Sequence, residues 1–247
     1  HYFTAGEIRL HSSRFCKQHL ICPLCAIRRG AKSLEAYLAR YSVVQAQEPA
    51  LKPFLITFTV QDGEDLSERF QHLQKSFKNL QTKRRQWLAG QRGKSYTEFS
   101  KVIGAVGSYE TKRGKNSGLW HPHIHMIALC ASKPSQRSLK HEWEHITKDS
   151  FVVDVRPLDK HQDPAQDFLE VFKYALKFSD LELSDNWTAA RLLYGSRLLF
   201  SFGVFRGVQI PDVLTDEPLD DLPYFDLFYR YFVGSGYTLT GESLNKY

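Results

Sequence analysis

Three histidines lie close together in the segment His121-Pro122-His123-Ile124-His125, and an apolar run follows them directly. This composition predicts a strand, in which successive side chains point to opposite faces. His123 and His125 are therefore expected to share one face. Two imidazoles side by side on a rigid backbone form half of a site for a divalent metal ion. His121 has the same parity, and is either a further ligand or a group that supports the ligands.

A carboxylate is expected beside these imidazoles. A strand is predicted from about residue 102 to Glu110, and the glycine-containing residues 112–119 connect it to the histidine strand. Two strands joined in this way form a hairpin, which could bring Glu110 beside His123 and His125. Two imidazoles and one carboxylate leave open positions on a divalent ion, Mn²⁺ or Mg²⁺, for a substrate oxygen.

A predicted helix carries a candidate nucleophile. Asp163 can cap its start and Pro164 suits its first position, and the apolar pattern extends to about residue 178. Polar residues spaced i, i+3, i+4 and i+7 share one face of this helix: Glu170, Lys173, Tyr174 and Lys177. Flanking ammonium groups and a metal ion would ease ionisation of Tyr174 and make it a nucleophile. The alternative is an ordinary helix with a solvated polar stripe.

An N-terminal cluster has the composition of a structural zinc site: Cys16, His19, Cys22 and Cys25. The fourth ligand is open between His19, which is closest in sequence, and His11. The alternative is a set of buried free cysteines, the interpretation favoured for Cys130 at the end of the histidine strand. This cysteine usage predicts a reducing, cytoplasmic compartment.

The positive charge of the chain is concentrated in one region. The net charge is +6, and residues 75–115 hold eleven Lys or Arg against two Glu, whereas residues 207–229 hold only acidic charges. A basic surface of this kind favours a polyanion, nucleic acid first, with solvated surface as the alternative. The candidate DNA contacts are Lys75, Lys83, Arg84, Arg85, Arg92 and Lys94. No apolar run has the length of a membrane span, so no membrane partner is expected.

The order of predicted elements indicates an α+β fold. Its antiparallel sheet is of the split β-α-β, ferredoxin-like type, with helices on one face. The predicted organisation has three parts: an N-terminal zinc-binding segment (1–50), a catalytic domain (51–180) and a mostly helical C-terminal extension packed on that domain (181–247). A helix is expected over residues 184–201.

The motifs resemble those of the HUH endonucleases, specifically the rolling-circle replication initiators, or Rep proteins, of small plasmids. Residues 54–60 are similar to their first strand motif, residues 120–125 to their metal motif and residues 172–177 to their single-tyrosine motif. The resemblance covers roughly residues 15–180. Relaxases, the conjugative relatives, place the tyrosine before the histidines, so the order found here argues against them.

The resemblance implies site-specific nicking of single-stranded DNA. Tyr174 would attack the scissile phosphate, leaving a 5′-phosphotyrosine and a free 3′-OH that primes a polymerase. The resemblance also implies that the divalent ion polarises this phosphate, that Lys177 neutralises developing charge, and that Glu170 activates water for a terminating cleavage.

The implied partners are single-stranded or hairpin DNA at a replication origin, a DNA polymerase and a separate helicase. Two alternatives remain open at this point. A single-tyrosine transposase would share the catalytic residues, and a zinc-containing DNA-binding protein would have no catalysis. Formation of a covalent DNA adduct separates the second alternative from the others.

Overall fold

The structure is a computed structural model that describes residues 20–158, 164–174, 181–210, 224–234 and 236–245. Its helices are α1 (Pro23–Gln47), α2 (Leu66–Leu88), α3 (Gln136–Thr147), α4 (Pro164–Tyr174) and α5 (Leu183–Leu193). Its strands are β1 (Lys52–Thr59), β2 (Val102–Arg113), β3 (Trp120–Cys130), β4 (Val153–Pro157), β5 (Leu199–Phe202), β6 (Tyr224–Phe232) and β7 (Gly236–Asn245). Short 3-10 turns occupy Glu98–Lys101 and Gly203–Phe205.

Five strands form one antiparallel sheet in the order β4-β1-β3-β2-β5, with β3 at its centre. The elements from β1 to α4 follow each other as β-α-β-β-α-β-α, and the neighbouring pairs are those of a split β-α-β arrangement. The predicted α+β class with an antiparallel sheet is confirmed, as is the hairpin of β2 and β3.

Helices cover both faces of the sheet, so the prediction of helices on one face is wrong. One face packs against α2 and α3, and the other packs against α1 and α4. The cause is visible in β3, where Met126 and Ala128 are buried on the first face while Ile127 and Leu129 are buried on the second. A strand that is apolar on both faces needs cover on both.

The α2 face holds an aromatic cluster around Phe58. The Phe58 ring lies 4.9 Å from the Trp143 ring, 6.0 Å from the Phe99 ring and 6.1 Å from the Phe77 ring. Helix α2 begins where Asp65 accepts hydrogen bonds from two backbone N–H groups, which satisfies donors that the first turn leaves open. Its apolar residues then recur at helical spacing and anchor it to the sheet.

The described part of the C-terminal segment is not mostly helical, which corrects a second expectation. It contains α5, the sheet strand β5 and the separate antiparallel pair of β6 with β7. The helix predicted over 184–201 ends at Leu193 because Gly195 adopts a positive φ of 75°. β5 then pairs with β2, and the Phe200 ring packs 4.9 Å from the Phe77 ring.

Helix α5 is attached to the turn end of the β2–β3 hairpin. Arg113 donates two hydrogen bonds to Asp185, at 2.8 and 2.6 Å. The Arg113 guanidinium also lies over the Trp120 ring, 3.8 Å from its centroid. Within the described ranges, none of the helices combines the length and apolar character needed to cross a bilayer.

Replacing the central ring of the aromatic cluster should destabilise the fold strongly. Phe58→Ala removes a fully buried side chain, and the expected loss in free energy of unfolding is about 3–5 kcal/mol, measured by urea denaturation. Phe151→Ala is the matched control, because that ring is 56% exposed. Equal losses from the two substitutions would contradict this account of the core.

Candidate metal centre

The register of the β2–β3 hairpin brings a carboxylate to the histidines. Glu110 lies directly opposite His123, and Ser108 lies opposite His125. The Glu110 Oε2 atom is 2.9 Å from His123 Nε2 and 3.3 Å from His125 Nε2. One donor atom from each of the three residues lies within 4.8 Å of the other two. This group is a mixed oxygen and nitrogen donor set of the kind that divalent metal ions take.

The group lies on the face of the sheet that α1 and α4 cover. His123 and His125 share their parity along β3 with Ile127 and Leu129, which pack against those helices. Glu110 and His123 are buried, and His125 is partly exposed. The site is therefore partly open to solvent on the side of His125. The Glu110 carboxylate lies in a low-dielectric environment.

Neighbouring groups fix the orientation of both imidazole rings. His123 Nδ1 donates to the backbone oxygen of His121 at 3.1 Å, which turns Nε2 towards Glu110. His125 Nδ1 lies 3.0 Å from the Thr57 hydroxyl on the adjacent strand β1. Hydrogen bonds of this kind to the second ring nitrogen orient metal-binding histidines. Thr57 carries no sequence signal of its own, except that its strand neighbours the histidine strand.

The electrostatics of the pair favour ionised Glu110. Burial alone would raise its pKa, but the interactions of the carboxylate with His123 and His125 outweigh burial and lower the pKa to about 2. Burial lowers the pKa of His123 despite the opposing effect of Glu110. An ionised carboxylate and a neutral imidazole are the forms that bind a metal ion.

The His121 ring is not part of this group, because it is bonded to Asp62 instead. Its Nδ1 atom lies 2.5 Å from Asp62 Oδ1, and Asp62 also accepts a hydrogen bond from Ser117 in the β2–β3 turn. Burial raises the pKa of Asp62, but the bonds from Ser117 and His121 lower it overall. His121 thus supports the site through its backbone oxygen. Sequence reasoning missed Asp62, although an acidic residue shortly after the strand beside the histidine strand was a usable signal.

Helix α4 is tied to the sheet beside the candidate ligands. Phe168, Val171 and Phe172 are buried against the sheet, and the Ser108 hydroxyl donates to the Val171 backbone oxygen at 2.7 Å. Because Ser108 faces His125 across the hairpin, this bond fixes the helix next to the site. The described part of the helix extends to Tyr174, which is about 4.5 Å further along the helix axis than Val171.

Several predicted residues are described only in part. The backbone of Glu170 and Tyr174 belongs to α4, whereas their side chains, and the whole of Lys177, lie outside the description.

The predicted zinc ligands Cys16, His19 and His11 also lie outside the described residues. Cys22 precedes the first residue of α1, and Cys25 is buried in its first turn. The zinc site thus stays a prediction, while the expectation that Cys130 is a core residue is confirmed.

The predicted DNA contacts lie away from this site. Arg84 is half-buried and donates to the backbone oxygens of Val102 and Ile103, so this guanidinium joins α2 to the start of β2. Along the extended strand β2, Glu110 lies about 23 Å from Ile103. The other predicted contacts are exposed: Lys75, Lys83, Arg85, Arg92 and Lys94.

One further cation was missed by sequence reasoning. Lys112 lies opposite His121 in the hairpin, and its charge contributes to lowering the pKa of His123, after the larger effect of burial. Lys112 and Glu110 are two residues apart on one strand and therefore share a face. Strand parity was the signal that could have identified it.

Comparison with known proteins shows the family of this chain. A protein family described as "Replication protein" matches residues 7–223. A protein named "Protein rep" from Streptococcus pneumoniae serotype 2 (strain D39 / NCTC 7466) is 26% identical over 238 residues, covering 89% of this chain and 70% of that protein. No solved structure matches the chain. The chain belongs to the replication protein family, which confirms its resemblance to plasmid Rep initiators.

The donor set predicts binding of Mn²⁺ that depends on all three residues. Glu110→Gln and His123→Ala should each weaken binding at least about tenfold, or ~1.4 kcal/mol, in isothermal titration calorimetry. His141→Ala is the matched control, because His141 is an exposed histidine on α3. Unchanged Mn²⁺ affinity in both site variants would show that the three side chains form only a buried ionic network.

Proposed function

We propose that this protein nicks single-stranded DNA at a specific site in a plasmid origin and initiates rolling-circle replication through a 5′-phosphotyrosine. The observation that carries the proposal is the pairing of Glu110 with His123 on the face against which α4, the helix that includes Tyr174, is packed. A donor set for a divalent ion and a candidate nucleophile are thereby associated with the same side of one sheet.

The proposed reaction is a transesterification. The phenolic oxygen of Tyr174 attacks the scissile phosphorus, the bond from phosphorus to the 3′ oxygen breaks, and that oxygen takes up a proton to become a free 3′-OH. The phenolic proton leaves Tyr174 as the new phosphorus–oxygen bond forms. No oxidant or high-energy cofactor is required, because one phosphodiester replaces another.

Glu110, His123 and His125 would hold the divalent ion, Mn²⁺ or Mg²⁺. Such an ion supplies Lewis-acid polarisation of a phosphoryl oxygen. Thr57 and the backbone oxygen of His121 keep the two rings in register with the carboxylate. Lys177, as the resemblance implies, would neutralise charge on the phosphate, and the described Lys112 is a second cation suited to this role.

Tyr174→Phe should abolish the covalent adduct and leave DNA binding intact, because only the attacking oxygen is lost. The measurement is denaturing electrophoresis after incubation with origin oligonucleotides and Mn²⁺. Tyr194→Phe is the matched control, since Tyr194 directly follows α5 and is 75% exposed. An adduct that persists in the Tyr174 variant and disappears in the Tyr194 variant would assign the chemistry to Tyr194.

Glu170 is proposed to act at termination. It lies four residues before Tyr174 in α4, a spacing at which two side chains lie on the same side of a helix. There it would activate water for the second cleavage, which releases the enzyme from DNA. The alternative is a surface ion pair with Lys173 or Lys177, which would contribute at most about 0.5 kcal/mol.

Glu170→Gln should therefore nick at nearly the normal rate yet accumulate the covalent complex. The readout is the ratio of adduct to released enzyme in a strand-transfer assay. Glu144→Gln, an exposed carboxylate on α3, serves as the control. Release kinetics equal to those of the unaltered protein would remove Glu170 from the mechanism.

The remaining parts of the proposal concern partners and the N-terminal segment. Structural zinc at Cys16, Cys22 and Cys25 with His19 or His11 would stabilise residues 1–50, independently of the catalytic ion. Origin DNA, a helicase and a polymerase are the expected partners. A single-tyrosine transposase remains the second candidate function, because it would use the same Glu110, His123, His125 and Tyr174 and differ only in its DNA substrate.

A further inference from the structure

A second surface with the chemistry of a nucleic-acid site lies at the other end of the sheet. Trp87 is 39% exposed near the end of α2, and Tyr96 is 52% exposed in the loop that leads to β2. Their ring centroids are 5.5 Å apart and their planes are nearly perpendicular, at 86°. Two large rings exposed to solvent in mutual contact cost hydrophobic free energy unless something covers them.

The tyrosine ring is held in a fixed position. Tyr96 donates to Glu98 Oε2 at 2.9 Å, and buried Glu98 accepts further hydrogen bonds from Lys101 and from the backbone of Ser135. The polar edge of the ring is therefore anchored while much of the ring stays exposed. A rigid exposed ring loses little conformational entropy when a base stacks on it.

Positive charge surrounds the two rings. Lys83 lies one helical turn before Trp87 and so has the same orientation around α2, and exposed Arg92 and Lys94 lie in the loop between the rings. No Asp or Glu occurs in the sequence between Glu68 and Glu98. We name Lys83, Trp87, Arg92, Lys94 and Tyr96 the aromatic-basic patch.

The patch is separate from the metal centre. Arg84, three residues before Trp87, is bonded to the first residues of β2, whereas Glu110 lies about 23 Å further along that strand. Helix α2 also covers the opposite face of the sheet from the one that carries His123 and His125. A strand whose phosphate occupies the metal centre would have to pass around the sheet to reach the patch.

We propose that the aromatic-basic patch binds single-stranded DNA by stacking bases on Trp87 and Tyr96 while the three basic residues contact its phosphates. Stacking requires bases that are not already stacked in a duplex, so the aromatic rings favour single strands, whereas the charges alone would not discriminate. The proposal rests on the proposed function and extends it, because strand displacement that starts from the nick would produce a single strand for a second site to hold.

The test measures DNA binding without chemistry. Fluorescence anisotropy of a labelled thymidine oligonucleotide of about 16 nucleotides, a length suited to one binding surface, is recorded without added Mn²⁺ or Mg²⁺ so that no cleavage occurs. A labelled duplex of the same length is the second probe. The proteins compared are the unaltered full chain, Trp87→Ala, Tyr96→Phe and Trp187→Ala. Trp187 is the matched control, since it is 56% exposed on α5.

Trp87→Ala should weaken single-strand binding about tenfold, as expected for the loss of one stacked base, and should leave duplex binding unchanged. Tyr96→Phe keeps the ring but loses its hydrogen bond to Glu98, so single-strand affinity should fall less than in Trp87→Ala. Trp187→Ala should behave like the unaltered chain. Equal weakening for both probes, equal weakening by Trp187→Ala, or unchanged affinity in Trp87→Ala would each overturn the proposal.

Failure of this proposal is distinguishable from failure of the proposed function. If the unaltered chain forms no covalent adduct with Mn²⁺ but Trp87→Ala selectively weakens single-strand binding, the patch stands and the nicking chemistry does not. If adduct formation is normal and Trp87→Ala binds both probes like the unaltered chain, the reverse holds. Mn²⁺ affinity should be the same in Trp87→Ala and the unaltered chain, since the patch has no contact with Glu110.

Discussion

The pairing register of β2 with β3 determines whether a metal centre exists. Glu110 meets the two imidazoles only because it lies directly opposite His123, and a shift by one residue would turn it to the other face. Several contacts fix this register. The Gly114 N–H donates to the Leu119 oxygen in the turn, the Arg113 guanidinium covers the Trp120 ring, and β3 is also paired on its other edge with β1 from His123 to Cys130.

The donor set is a polar group embedded in an otherwise apolar face. A buried carboxylate without partners would be strongly destabilising, yet Glu110 is held ionised here by its contacts with two imidazoles. Those imidazoles are held in turn by Thr57 and by the His121 backbone. Removing one member therefore leaves another polar group buried without a partner, so fold stability and metal binding depend on the same contacts.

The sequence predicted those features that depend on local patterns. Alternation predicted the histidine strand, the connection of eight residues predicted the hairpin, and the two together predicted that Glu110 lies beside the histidines. The apolar spacing of α2 is a local pattern of the same kind. In each case, residues close in the chain determine the structure, so short-range physical rules suffice.

Features that depend on distant contacts were missed or misassigned. Helix α1 and the cover on both faces follow from how the sheet is buried on its two sides. Arg84 looks like any other basic residue of α2 until Val102 and Ile103 are found beside it. The sequence predicts a helix through the residues of β5, because only their pairing with β2 makes them a strand.

The position of β5 also determines when the sheet can be completed during synthesis. Its partner residues on β2, Ala105–Ser108, are translated roughly ninety residues earlier, and until Leu199–Phe202 emerge β2 is an open edge. Gly104 and Gly107 permit close approach of the later strand there. An open edge with little side-chain protection readily pairs with other chains. A nascent or truncated protein that stops near residue 180 is therefore exposed to edge-to-edge association, although its ligand residues and α4 are already present.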